Sequence, residues 1–340
     1  MAKKGDGIYK LLKHNGLDPA VYTNAFIEMN KTRLGENNAL FIGVKYRLPD
    51  VETKQNKPPV VPENNSTLIT TDEKESLNNN KQSAAKEKEP VKTQGKTLNY
   101  NVFGKNYSNV AVKSDELKGA VYYLKSGHGG PDPGAMGKYQ NHTICEDEYA
   151  YDVTLRIARN LIERGATVYL IVIDKNDGIR DETFLMPDKD EVCYPNRTIP
   201  LNHVKRLQQR VDAVNQLYKK HGNAFQRFIS IHVDSRSKGE NIDIFLYHDS
   251  KSNSGKKAAT ILQQTFRDKY NEVQPGRGYT GSVSARNLYV LKNSYPTGIF
   301  IELGNMNHQR DIKRLIIADN RQAVANWLTQ GLIKDFKTNR

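Results

Sequence analysis

Apolar and polar positions alternate in blocks that change character along the chain. From about residue 118 onward, short apolar runs of strand length take turns with helical periodicities. Val121-Tyr122-Tyr123-Leu124 ends in a glycine-rich turn, and Tyr149, Val153, Ile157 and Leu161 then recur every fourth position up to Gly165. Ala166–Ile173 reads as a nearly continuous apolar strand. After a polar loop, Leu207, Val211, Val214 and Tyr218 mark a helix closing at Gly222. Further strands are predicted at Phe228–Ile231, Ile242–Tyr247, Asn287–Leu291 and Gly298–Glu302, with helices around Lys256–Tyr270 and Asn320–Phe336. Repeated strand–helix–strand order predicts an α/β fold, a mainly parallel sheet with helices on both faces, whose ligands sit beyond the carboxyl ends of the strands.

The N-terminal fifty residues read differently. Gly5-Asp6-Gly7 precedes a short helical pattern (Ile8, Leu11, Leu12), a second helix follows through Val21, Phe26 and Met29 to Asn30, and an apolar strand is expected at Leu40–Pro49. Such a unit, small and α+β, is near the lower size limit for folding without staples. Between the two blocks, residues 51–117 are expected to be a flexible linker. Their first part, to about 97, is dominated by Lys, Glu, Asn, Pro and Ser and buries too little apolar area to offset its ordering entropy. The expected division is therefore 1–50, 51–117 and 118–340.

Composition narrows the function classes. With 37% hydrophobic and 26% charged residues the chain has material for a substantial core. No stretch approaches the ~20 apolar residues of a membrane span, so none is expected. The start, MAKKGDGIYK, lacks the apolar segment of a secretory signal. A net charge of +13 favours polyanions, yet Lys and Arg are scattered and no nucleic-acid motif is present, so no nucleic-acid partner is expected. Cys145 and Cys193 lack the close Cys or His companions of a structural zinc knuckle; spacing leaves open whether they are joined.

Four residues stand where a strand ends or a helix begins. His128 lies in the turn Ser126-Gly127-His128-Gly129-Gly130-Pro131-Asp132-Pro133-Gly134, Glu146 opens the following helix, His232 ends one strand and Glu302 another. Two imidazoles and one carboxylate at one sheet edge match a catalytic zinc site with a position left for water. A further carboxylate that is not a ligand would carry the proton, and Glu302 suits that role. Glu148 rivals Glu146, although helix spacing turns it to another face, and Glu302 on its own could be a buried carboxylate paired with an Arg. His14, His142, His203, His221, His248 and His308 carry no flanking turn signature and receive no metal role.

These segments resemble one family. LKSGHGGPDPGAMG at Leu124–Gly137 is similar to the "GHGG-x-DPGA-x-G" opening of the zinc-dependent N-acetylmuramoyl-L-alanine amidases. EDEYAYD resembles that family's "E-x-x-x-x-L-D" helix, with Glu146 six residues before Asp152 and Tyr151 replacing Leu. FISIHVDS resembles its "F-x-S-I-H-x-N" strand with Asp234 for Asn, Arg210–Asn215 its "R-x-x-x-A-N" helix, and YPTGIFIELGNMNH its final Glu-bearing segment. The resemblance covers about residues 118–338. It implies His128, Glu146 and His232 as zinc ligands, Glu302 as general base, and cleavage of the amide between N-acetylmuramic acid and the L-alanine of peptidoglycan stems. It also implies work in the periplasm or cell envelope, where peptidoglycan is the partner; no activating protein is identified. The N-terminal fifty residues resemble a LysM module through Gly5-Asp6, Asn30 and Gly43–Pro49, which implies binding to N-acetylglucosamine-containing glycan. A zinc exopeptidase and an inactive glycan-binding wall protein are the alternatives; ligands for one metal only, and all four site residues in place, count against them. The loop Asp174–Pro200, longer than that family requires, frames the groove, acts as a lid or is a plain surface excursion.

Overall fold

The computed structural model describes residues 8–17, 19–35, 40–49, 96–235 and 239–340. The chain divides into two compact units, residues 1–64 and 65–340.

In the first unit, α1 (Ile8–His14) and α2 (Pro19–Asn30) enclose a small core of Leu11, Leu12, Leu17 and Phe26. Pro19 opens α2, where its missing N–H is no loss. Asn30 is buried and clasps the returning chain: its Nδ2 donates to Arg47 O (2.8 Å) and its Oδ1 accepts from Arg47 N (2.8 Å). The strand expected at Leu40–Pro49 is not formed among the described residues. That segment turns at Phe41–Val44 and hangs on the Asn30 side chain in place of a sheet ladder.

The second unit begins inside the expected linker. Residues 96–117 carry a hairpin of β1 (Thr97–Asn99) and β2 (Asn109–Ala111), and Phe103, Val110 and Leu117 are buried in the main core. Most of the linker, residues 51–95, lies outside the described residues.

The elements that follow are β3 (Ala120–Ser126), the hairpin β4 (Met136–Tyr139) and β5 (His142–Cys145), α3 (Glu146–Ile162), β6 (Thr167–Leu170), β7 (Val172–Ile173), β8 (Val192–Cys193), β9 (Arg197–Thr198) and α4 (His203–Tyr218). Then come β10 (Phe225–Asp234), β11 (Phe245–His248), α5 (Asn253–Val273), β12 (Ser282–Ala285), α6 (Tyr289–Asn293), β13 (Thr297–Asn305), α7 (Gln309–Ile316) and α8 (Ala318–Asn339). The central sheet has the order β12-β11-β13-β10-β3-β6, parallel throughout except for the antiparallel pair β11/β13. The expectation of a mainly parallel α/β sheet is met. Alternation along β3 sends Tyr122 and Leu124 into the core beneath α3, α5 and α8, and Val121 and Tyr123 into a second core beneath α4 and α6. Helices therefore cover both faces.

Three expected strands differ. Ala166–Ile173 breaks at Ile171, whose N–H donates to Leu124 O while its C=O accepts from Tyr194, so β7 leaves the main sheet to pair with β8. Ile242–Tyr247 becomes strand only from Phe245, because Asp243 holds a left-handed φ of 47° and its carboxylate is pinned by Arg277 and Arg314. Asn287–Leu291 holds no strand but the start of the short helix α6, with Val290 and Leu291 buried toward α4; a bare apolar run does not distinguish the two.

Candidate active site

The parallel order brings the carboxyl ends of β3, β10 and β13 side by side, and the sequence-derived site residues gather there. His128 follows β3 in the left-handed region at φ 57°. His232 and Glu302 are directly opposed in the β10/β13 ladder, next to a register shift between His232 and Asp234. Such an irregularity re-aims side chains at a sheet end. Glu146 is the first residue of α3 and is buried.

His128, Glu146 and His232 each offer a donor atom, all within 4.8 Å of one another. His128 Nε2 lies 3.2 Å from Glu146 Oε2, and His232 Nδ1 lies 2.9 Å from Glu146 Oε1. The carboxylate is aimed by two amides: Ala135 N donates to Oε2 (2.8 Å) and Val233 N to Oε1 (3.0 Å). Two glycines are demanded by this closeness. A Cβ on Gly127 would stand 2.6 Å from His232 Nδ1, and one on Gly134 (φ 71°) would stand 2.6 Å from His128 Cδ2 and 2.7 Å from Glu146 Oε2. The glycine-rich turn is therefore a steric requirement of the site.

Each imidazole is oriented from behind. His128 Nδ1 meets Asp132 Oδ2 at 2.9 Å, which leaves Nε2 facing Glu146, and Arg206 in turn holds Asp132 Oδ2 at 2.8 Å. Arg210 donates to the carbonyl of His128. His232 stacks on Phe300 with centroids 4.1 Å apart, and its Nε2 faces Lys125 Nζ at 2.9 Å. The two rings sit in opposed electrostatic surroundings. Burial disfavours the imidazolium of His128, but hydrogen bonds to Asp132 and Glu146 outweigh it and raise its pKa to about 9. Burial and then the Lys125 ammonium depress His232 to about 3. Burial also opposes the Glu146 carboxylate, yet hydrogen bonds from both rings hold its pKa well below the ordinary value.

The trio lines a cleft of about 430 Å³ together with Glu302, Lys125, His203, Leu207 and Arg286. Of the histidines given no metal role, His203 reaches this lining, whereas His142 stacks on Phe184 with centroids 3.8 Å apart. Glu148 turns from the trio to pair with Arg180 at 2.9 Å. Burial pushes Asp147 up to about 8 and Glu148 up to about 7, in contrast to Glu146. Cys145 and Cys193 are free, buried thiols. Sequence reasoning gave no role to Lys125, Asp132, Arg206 or Arg210. Asp132 could have been found, since it stands four residues after His128 in the same turn; the contacts of Lys125, Arg206 and Arg210 with the site are long-range.

Two imidazoles and a carboxylate thus converge at one sheet edge, with a further carboxylate, Glu302, beside His232 in the same cleft of an α/β sheet. The family model for N-acetylmuramoyl-L-alanine amidases matches residues 123–334, and the chain belongs to that family. Among curated relatives, the germination-specific N-acetylmuramoyl-L-alanine amidase of Bacillus subtilis (strain 168) is 26% identical over 222 residues, 65% of this chain and 81% of the relative. Among solved structures, the CwlD amidase from Clostridioides difficile in complex with the GerS lipoprotein is 17% identical, with 64% of this chain and 99% of that chain covered and a TM-score of 0.48. The N-acetylmuramoyl-L-alanine amidase AmiC2 of Nostoc punctiforme is 21% identical, with 64% and 98% covered and a TM-score of 0.46.

Proposed function

We propose that this peptidoglycan amidase holds a zinc ion between His128 Nε2, Glu146 and His232 Nδ1 and uses Glu302 as its general base. The reading is carried by the donor set: two borderline nitrogens and one carboxylate oxygen within 4.8 Å. That set, opening on a cleft, is the catalytic three-ligand pattern of zinc. The absence of side chains at Gly127 and Gly134 keeps the space among the donors clear. When bound, zinc polarises the scissile carbonyl and acidifies water.

The chain's own groups supply the rest. Asp132 fixes His128 with Nε2 inward, and Phe300 fixes the plane of His232. Glu302, buried at the cleft end of β13, accepts a proton from the attacking water and passes it to the departing L-alanine nitrogen as the lactyl C–N bond breaks. Arg286 at the cleft wall and the net charge of +13 favour a substrate that carries stem-peptide carboxylates.

Action on peptidoglycan places the work in the periplasm or cell envelope. No helix among the described residues is long and apolar enough to cross a membrane. The N-terminal unit, with its small helical core and Asn30 clasp, serves as a LysM-like glycan-binding module that keeps the hydrolase on its polymer. The expected division of the chain, 1–50, 51–117 and 118–340, is kept as a functional one, with residues 96–117 structurally part of the catalytic unit.

Digestion of purified peptidoglycan tests the reading. New L-alanine amino termini are expected, and both a chelator and Glu302→Gln should abolish them, with zinc restoring only the chelated wild type. Undiminished release by Glu302→Gln would remove Glu302 from the chemistry.

A further inference from the structure

Three more carboxylates meet beside the first turn of α3. Asp147 and Glu148 follow Glu146 directly, and Glu191 comes from the long loop just ahead of β8. Each offers an oxygen, and these oxygens lie within 4.8 Å of one another. All three side chains are buried, at 2%, 2% and 6% exposure, and none lines the cleft.

Two observations separate this group from a solvated acidic patch. Asp147 Oδ2 is buried and receives no hydrogen bond, while its Oδ1 accepts only the neighbouring Glu148 amide at 3.0 Å. A buried carboxylate oxygen with no donor is unfavourable unless something positive occupies the space before it. Compensating charge is also short. Among the described residues the one basic side chain paired with the three is Arg180, at Glu148, and Arg180 is shared with Asp177. Glu191 instead accepts the amide of Gly130 at 2.7 Å.

We infer that Asp147, Glu148 and Glu191 form a structural calcium site, separate from the His128–Glu146–His232 centre. An all-carboxylate oxygen set selects a hard cation, with no nitrogen or sulfur donor to favour zinc. Calcium takes about six to eight oxygens at about 2.3–2.6 Å in flexible geometry and readily uses several carboxylates at once, whereas magnesium demands near-octahedral geometry at about 2.0–2.1 Å and is usually bound by one or two carboxylates with its waters kept. Water fills the remaining positions of a shell of about six to eight oxygens.

The site joins three segments. Asp147 and Glu148 belong to the helical turn that presents Glu146. Glu191, through its bond to Gly130, holds the turn that presents His128. The loop Asp174–Pro200 is fastened between them, with Asp188 N donating to Glu148 Oε1 at 3.2 Å. The loop is thus an anchored brace behind the hydrolytic centre, not a lid.

Metal-stripped full-length chain dialysed against CaCl2 tests this without any hydrolysis. One calcium ion per chain should bind, and at 100 times Kd the unfolding temperature should rise by about 5–10 °C. Glu191→Gln and, as a second variant, Asp147→Asn should each weaken calcium binding at least tenfold, and His232→Ala should leave it unchanged. No stoichiometric uptake at millimolar calcium overturns the inference. So does unchanged affinity in both carboxylate variants, loss in His232→Ala alone, or tighter binding of MgCl2 than of CaCl2.

Discussion

Asp132 stands one hydrogen bond behind His128, and on the proposed reading the metal affinity of the centre should depend on it. Its Oδ2 receives His128 Nδ1 at 2.9 Å and Arg206 Nη2 at 2.8 Å, and its Oδ1 receives Gly134 N at 3.2 Å. Replacing it with Asn keeps the shape and removes the charge. A charge-assisted hydrogen bond is roughly twice as strong as a neutral one, so the change withdraws about 1–1.5 kcal/mol from the His128 orientation. Exposure of the carboxylate, 23% of its side chain, keeps the figure at the lower end. That corresponds to a roughly fivefold loss of zinc affinity for Asp132→Asn. Asp132→Ala also frees His128 to turn and leaves Arg206 without its carboxylate partner, so its loss should approach about a hundredfold. Competition with a chromogenic chelator measures both, with Glu302→Gln as the control that keeps wild-type affinity. If Asp132→Asn and Asp132→Ala both bind zinc within twofold of wild type, His128 is not held by this carboxylate and the reasoning fails.

Three other perturbations reach different parts of the chain. Gly134→Ala forces a Cβ to 2.6 Å from His128 Cδ2 at φ 71°, so zinc binding and amidase activity should both fall more than about tenfold while far-ultraviolet dichroism is unchanged. Asp152 accepts from the buried guanidinium groups of Arg156 and Arg321 at 2.8 and 2.7 Å; Asp152→Ala leaves Arg321 with carbonyl partners and Arg156 with Asp181 as its carboxylate, and should cost about 3 kcal/mol in urea unfolding. Asp243 is buried, and although burial opposes its charge, Arg277, the Thr280 amide and Arg314 pull its pKa below the ordinary value. Its folded pKa is depressed, so its contribution is complete above the unfolded value of about 4 and fades as pH falls through the folded value. Asp243→Asn should therefore be clearly destabilised at pH 7, with the gap to wild type closing below about pH 4.

Much of this was legible because periodicity reports burial. A parallel sheet covered on both faces needs near-continuous apolar strands, and those of β3, β10 and β13 are visible as such. The site residues were legible for a related reason: a ligand at the carboxyl end of a strand must be followed by a turn, and turns carry glycine. Asp152, used as a spacing mark for Glu146, proves to be the anchor of two buried arginines, a role that no local pattern announces. Asn287–Leu291 misled for the opposite reason, since the packing of Val290 and Leu291 toward α4 decides between helix and strand where the local pattern does not.

By itself, then, the sequence determined the α/β alternation, the turn around His128 and the candidate set His128, Glu146, His232 and Glu302, because each is written in neighbours a few positions away. Tertiary structure decided what long-range contact alone can decide. It turned Glu146 inward and Glu148 out to Arg180, set Asp132 and Lys125 behind the two imidazoles, and drew Glu191 across the fold to Asp147. Which face a carboxylate presents, and what charge it meets there, depends on residues tens of positions apart.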